Sequence, residues 1–279
     1  MIKLQPDEAR VFSAYIYSLC GIHLDDTKGY LLESRLAGLL TETGSATFSE
    51  LYHKARLDAT KALSRKIVDA VTTGETSFFR DTAPFDMFQY KLLPEIIDRR
   101  KKTTPPGKPV SLRIWSAACS TGQEVYTIAI KLKETLPNFS QYSVYLLGTD
   151  ISDQAVAKAS LGIYNSIEIG RGLGQDQIGR YFTPVNGNWK IRDDIRAMVS
   201  FRKLNLMEDF SALGRFDVIF CRNVAIYFTE PDKIQLFKRS GNALQPDGGL
   251  IIGSTESLSG LCPQFEAMRH VRSVFYQLK

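Results

Sequence analysis

Leu112-Arg-Ile-Trp-Ser-Ala-Ala-Cys-Ser-Thr-Gly-Gln-Glu124 decides how this chain folds. The apolar run 112–115 reads as a buried strand and 116–122 as a loop of small residues. Over 124–136, Val125, Ile128, Ala129 and Leu132 recur at helical spacing. Strand, small-residue loop and helix make the first unit of a nucleotide-binding α/β fold. Small residues are needed there because a ligand must approach the N–H groups of a helix start closely. The next apolar run, 144–147, ends in Gly148-Thr-Asp150. A carboxylate at that tip accepts two hydrogen bonds at once, which suits ribose hydroxyls. The loop holds one glycine where the dinucleotide fingerprint has three. A pyrophosphate cradle is therefore not expected. A ligand without phosphates fits better, and S-adenosylmethionine is the common one. The competing reading is an α/β strand end with an incidental Asp150.

The 279 residues, 44% of them hydrophobic, suit one large domain or two smaller ones with a real core. A net charge of +5 is too mild to imply nucleic acid. No apolar run approaches the roughly 18 residues of a membrane span, and Met-Ile-Lys-Leu-Gln-Pro-Asp-Glu8 is no signal peptide. A cytoplasmic protein without membrane insertion is expected. Cys20, Cys119, Cys221 and Cys262 are far apart and read as reduced thiols. With three histidines, none clustered with cysteine, no metal site is expected.

Residues 1–72 read as an all-helical N-terminal domain. Val11, Phe12, Tyr15, Ile16 and Leu19 form a stripe stopped by Gly21; Leu32, Leu36, Leu39 and Leu40 form a second, stopped near Gly44. Thr47-Phe-Ser-Glu50 is a capping box opening a third helix, and Ala62, Leu63, Ile67, Val68 and Val71 mark a fourth. Arg35, Lys54, Arg56, Lys61, Arg65 and Lys66 fall on the polar faces, as solvated surface or as a docking face for an acidic partner. Residues 73–109 read as a linker loop and a helix kinked at Pro94. In the loop, Phe78 and Phe79 beside Arg80 suit either an interdomain plug or a site.

The rest, 110–279, reads as the α/β domain. Its strand-helix rhythm breaks over about 163–198, where Asn186-Gly187 between two short strands signals a hairpin in an inserted helix-plus-hairpin subdomain. Strands follow at 199–204 and 217–221, the latter ending in Arg222-Asn223, at the carboxyl end where such sheets bind ligands. A helix over 232–244, a turn over 245–249, a strand over 250–253 and a closing antiparallel pair complete a seven-stranded, Rossmann-like sheet. That is the class I S-adenosylmethionine-dependent methyltransferase order.

Thr72-Thr-x-x-Thr-x-Phe-Phe-Arg80, Trp115-Ser-Ala-Ala-Cys-Ser-Thr-Gly-Gln-Glu124, Gly148-Thr-Asp-Ile151, Cys221-Arg-Asn-Val-x-Ile-Tyr-Phe228 and Leu244-Gln-Pro-Asp-Gly-Gly249 resemble the chemotaxis receptor methyltransferases, the CheR family, over nearly the whole chain. The resemblance implies methyl transfer from S-adenosyl-L-methionine to glutamate side chains of membrane chemoreceptors, giving γ-glutamyl methyl esters and S-adenosyl-L-homocysteine. It implies a cofactor pocket lined by Thr76, Arg80, Glu124, Asp150, Asn205, Leu206, Arg222 and Asn223. Arg80 and Tyr227 would lie nearest the reacting centre. Gly74 stands where the family commonly has Asn, which would loosen one cofactor contact, and Val125 where Pro is common.

These residue types suit the chemistry. A glutamate of pKa ~4.3 is already ionised at neutral pH, so no general base is required. Tyr227 could orient the carboxylate through one hydrogen bond. Arg80 could pair with the substrate's or the cofactor's carboxylate. The cofactor's is favoured, because a tight pair would blunt the nucleophile. Glu124 suits the cofactor's ammonium or its ribose. Cys119 and Cys221 read as packing residues. In some members the inserted subdomain grips a peptide at the receptor C-terminus. The tight turn and short subdomain argue against such tethering here, leaving the N-terminal helices to dock a monomeric enzyme on the receptor's helical bundle. The alternatives are a non-catalytic adapter that binds S-adenosylmethionine and a methyltransferase of another protein or a nucleic acid. Cys221-Arg-Asn-Val matches neither the DNA amino-group nor the cytosine-C5 pattern.

Overall fold

The computed structural model describes residues 2–136 and 138–279. Helices α1 (Pro6–Cys20), α2 (Gly29–Thr43), α3 (Phe48–Leu57) and α4 (Ala62–Val71) enclose their own core of Phe12, Ile16, Leu32, Leu36, Leu51 and Ile67. The stops fall where the sequence places them: Gly21 and Gly44 end α1 and α2 in the left-handed conformation. Thr47 accepts from the N–H of Glu50, and Glu50 reaches back to the N–H of Ala46.

Two buried phenylalanines then lead into α5 (Thr82–Met87), a π turn (Phe88–Leu92) and α6 (Leu93–Thr103). The expected kink at Pro94 is a wide turn just before it. Pro94 has no N–H for the preceding turn, so the helix relaxes its hydrogen-bond spacing there.

The α/β domain follows as β1 (Val110–Ala117), α7 (Gln123–Thr135), β2 (Tyr142–Asp150), α8 (Asp153–Leu161), β3 (Ile163–Tyr164), α9 (Ser166–Gly170), α10 (Gln175–Tyr181), β4 (Phe182–Val185), β5 (Asn188–Ile191), α11 (Asp193–Arg196), β6 (Val199–Lys203), β7 (Phe216–Cys221), α12 (Glu230–Asn242), β8 (Leu244–Ile252), β9 (Phe265–His270) and β10 (Ser273–Leu278). Seven strands form one sheet in the order β6-β2-β1-β7-β8-β10-β9. All pairs are parallel except those of β10. Chain order reverses between β2 and β7, the two neighbours of β1, so a crevice opens at the carboxyl ends there. β7 is buried along its whole length, as a central strand covered on both faces must be.

Two details differ from expectation. The helix ends at Asn242, and Gln245-Pro-Asp-Gly-Gly249 lies inside β8, not before it. Phe216 pairs with Leu244 but Val218 with Gly249, so the turn-like residues form a bulge. The inserted hairpin also gains β3 as a third strand, in the order β3-β5-β4.

Asn186 and Gly187, with φ of 47° and 75°, make the two-residue turn. In such a hairpin Val185 and Asn188 exchange the closing bonds, and the next pair, Pro184 and Trp189, points its backbone groups outward. Proline therefore stands where the free edge of β4 would present an N–H.

At the amino ends of the strands, Arg100 on α6 reaches Asp217 (2.8 Å) on β7 and both oxygens of Asp247 (2.7 and 2.8 Å) on β8. At the carboxyl ends, the all-α domain is fastened by three bonds. His23 N–H donates to the Tyr227 carbonyl (2.9 Å), Asn205 Nδ2 to the Leu19 carbonyl (3.0 Å) and the Tyr17 hydroxyl to Asp232 (2.8 Å).

Candidate active site

A cavity of about 330 Å³ lies at the carboxyl ends of β1, β2 and β7, beneath the 72–80 loop and the ends of α1 and α4. Gly74, Thr76, Arg80, Glu124, Asp150, Asn205, Leu206, Arg222, Asn223 and Tyr227 all line it. Each is carried there by a strand end, a loop or the end of a helix, and the arrangement explains the small residues after β1. Ala118 and Ser120 adopt left-handed φ of 58° and 50°, held by bonds from Cys119 N–H to the Thr149 carbonyl and from Ser120 N–H to Asp150, each 2.8 Å. Gly122 starts α7 at φ 96°, where a Cβ would lie 3.0 Å from that of Ala159 and 3.1 Å from the Tyr164 hydroxyl.

Asp150 is only 9% exposed. Its carboxylate accepts from the N–H of Ser120 and of Ser152 (3.0 Å). Burial pushes its pKa above the ordinary range despite those bonds. Each oxygen keeps a further lone pair for a ligand.

Glu124 and Arg222 face each other. Glu124 accepts from the Ser116 hydroxyl (2.8 Å) and from Arg222 (2.9 Å). Arg222, its side chain 1% exposed, also donates to the Arg80 carbonyl (2.9 Å) and to Asp81 (3.1 Å). Arg222 thus pins the segment that carries Arg80. Phe79 and Asp81 flank Arg80 at φ of 51° and 54°. Phe78 packs edge-on against Tyr164 and Phe182, and Phe79 against Phe85. The two aromatics are therefore an anchor buried in the α/β domain, and Arg80 is what they present to the cavity.

Asn205 spends its side chain on the Leu19 carbonyl and the Met207 N–H, so it shapes the wall and fastens α1. Tyr227 ends a one-turn helix at the seam between the all-α and α/β domains. Cys119 and Cys221 are fully buried, and burial pushes both thiols up, away from nucleophilic chemistry.

Glu256 escaped the sequence reading. Its Oε2 accepts from the N–H of Asn223 (2.8 Å) and of Gly253 (2.7 Å). It fastens the β8 exit to the β7 tip, where Asn223 stands at φ 57°. The only sequence signal is a carboxylate three residues after a strand-ending glycine.

Residues 7–72 match the CheR methyltransferase all-alpha domain, and residues 74–274 the CheR methyltransferase SAM-binding domain. The chain belongs to the CheR methyltransferase family. It is 38% identical to the chemotaxis protein methyltransferase of Vibrio parahaemolyticus, covering 100% of this chain and 99% of that one. It is 37% identical to chemotaxis protein methyltransferase 1 of Vibrio cholerae (100% and 99%) and 36% to chemotaxis protein methyltransferase 1 of Pseudomonas aeruginosa (96% and 97%). Membership makes this an S-adenosylmethionine-dependent methyltransferase, as the resemblance implied. The cavity fits that cofactor: the small residues Ala118, Ser120 and Thr121 after β1 line it, and Asp150 keeps acceptor capacity at the β2 tip. Among the described residues, no helix is long and apolar enough to cross a membrane.

Proposed function

We propose that this methyltransferase esterifies glutamate side chains of chemoreceptors in the cytoplasm, forming γ-glutamyl methyl esters. The observation that carries the reading is Tyr227 and Arg80 on the wall of one cavity at the seam of two domains, with no histidine among its described lining residues. Such a site aligns a nucleophile that needs no base. S-adenosylmethionine supplies, when bound, a methyl carbon activated by the adjoining sulfonium.

The chain's own groups do the rest. Asp150 holds ribose hydroxyls. Glu124 faces the ammonium, and Arg80 the carboxylate, of the methionine part. Leu206, Gly74 and Thr76 close the walls. Tyr227 donates one hydrogen bond to the incoming glutamate and leaves its other oxygen free to attack. Closing the cavity strips water from that carboxylate, and the charge neutralised in the attack makes a drier site favourable.

Docking by the basic face alone has less charge available than the sequence implies. Lys54 pairs with Glu50, Lys66 with Glu42 and Arg65 with Asp153, which leaves Arg56 and Lys61 exposed without ion pairs among the described residues.

The test uses methyl-labelled S-adenosylmethionine with receptor-containing membranes. Labelled methanol released from the receptor band by mild base supports the ester. Base-stable label would sink it. Tyr227→Phe should lower kcat while leaving cofactor Kd within about twofold, since one oriented hydrogen bond is lost and the nucleophile stays ionised.

A further inference from the structure

Among the described residues that line the cavity, none comes from the inserted subdomain at 163–198. The subdomain nevertheless supports its walls from behind. Tyr164 on β3 is fully buried, and its hydroxyl donates to the Thr121 carbonyl (2.8 Å), in the loop that brings Ala118 and Ser120 to the cavity. That carbonyl lies just before the start of α7, and no backbone N–H among the described residues donates to it. Gly122 makes room for the approach, since a Cβ there would stand 3.1 Å from the same hydroxyl. Glu168 on α9 pairs with Lys158, a wall residue on α8.

The same tyrosine reaches the loop that presents Arg80. The Phe78 ring stands edge-on to Tyr164 (centroids 5.0 Å apart) and to Phe182 on β4 (5.3 Å). Gly172, between α9 and α10, passes so near that a Cβ there would lie 2.0 Å from the Phe78 carbonyl oxygen. Two strands and a turn of the subdomain thus close on one residue, two positions before Arg80. Close-packed rings have few other arrangements, so Phe78 cannot shift without the small sheet. The Arg171–Glu75 ion pair between the same segments is exposed and adds little. A buried tyrosine hydroxyl needs an acceptor, and any carbonyl serves for packing alone. Here the acceptor belongs to one cavity loop and the ring packs on the other.

We propose that Tyr164 is a positioning residue for the cofactor. Its hydroxyl fixes the loop after β1 and its ring fixes the 72–81 loop, so the small sheet sets the shape of the cofactor site without touching the ligand. This rests on the cofactor reading of the cavity. Such coupling is reciprocal: a bound cofactor that needs both loops in place steadies the small sheet in turn.

The test is calorimetry of S-adenosylhomocysteine with the full-length wild type, Tyr164→Phe and Tyr164→Leu, joined to hydrogen exchange and urea unfolding, without any activity assay. Tyr164→Phe keeps the ring and removes one hydrogen bond, so the fold is kept and Kd should rise about fivefold or more. Tyr164→Leu loses the ring as well and should weaken binding further. In the wild type the ligand should slow exchange in β3, β4 and β5, although none of them lines the cavity. Tyr164→Phe should lose that protection while the 72–81 loop exchanges as in the wild type; Tyr164→Leu should also speed exchange in that loop. A tyrosine that only packs would lower the urea midpoint and leave Kd within about twofold, with the small sheet indifferent to ligand. That result overturns the proposal with the cofactor reading intact. A wild type that does not bind overturns the cofactor reading itself.

Discussion

Asn223 sits in a conformation that a residue with a Cβ adopts with strain, and Glu256 is what holds it there. The same oxygen holds Gly253, where any Cβ would lie 2.6 Å from that oxygen and 2.8 Å from the Asn223 side-chain Nδ2. Glu256 touches neither substrate nor cofactor in the proposed arrangement; it positions the 223–227 turn. Glu256→Ala should therefore lower kcat about tenfold or more and raise the cofactor Kd by less, with Glu256→Gln recovering part of the loss, since one side-chain oxygen can still accept. Steady-state kinetics beside calorimetry separates the two. A Glu256→Ala enzyme with wild-type kcat would remove the residue from the mechanism.

Among the elements, the 72–81 loop carries Gly74, where the resemblance leads one to expect Asn. Gly74 is not in the left-handed region, and a Cβ there would stand 3.4 Å from the Ser120 hydroxyl, an ordinary contact. Gly74→Asn should thus be accommodated and tighten cofactor binding several-fold, through one added polar contact and a stiffer loop. Unchanged or weaker affinity on calorimetry would show that the glycine is not the loosened contact. This element also shows what sequence carries. Its motif spacing, the helical stripes and the strand ends were legible because period and small-residue loops report directly on backbone. Gln245-Pro-Asp-Gly-Gly249 misled because bulges and turns draw on the same residues. β3 was invisible because two residues have no period. Glu256 could not be seen because its meaning lies in a contact between segments far apart in the chain.

The whole molecule is held at two ends by different means. At the amino ends of the strands, buried Asp217 depends on Arg100, which it shares with Asp247. Arg100→Ala should cost about 3–5 kcal/mol in urea unfolding, because it removes the counter-charge of buried Asp217 and leaves it only the Arg113 N–H (2.8 Å). Arg100→Lys should recover only part, lacking the forked donor. Cofactor affinity of the folded variant should be unchanged, since the cavity is at the opposite ends of the strands. A folded Arg100→Ala protein with altered affinity would show that the two ends are coupled. The small sheet matters at this scale too. With Pro184 on its outer edge, a receptor tail pairing as an added strand would find a donor missing midway along four residues. An enzyme without such a leash would owe its local concentration at any one receptor to free encounter, and methylation would follow how densely receptors are packed, not how long one tail keeps the enzyme moored.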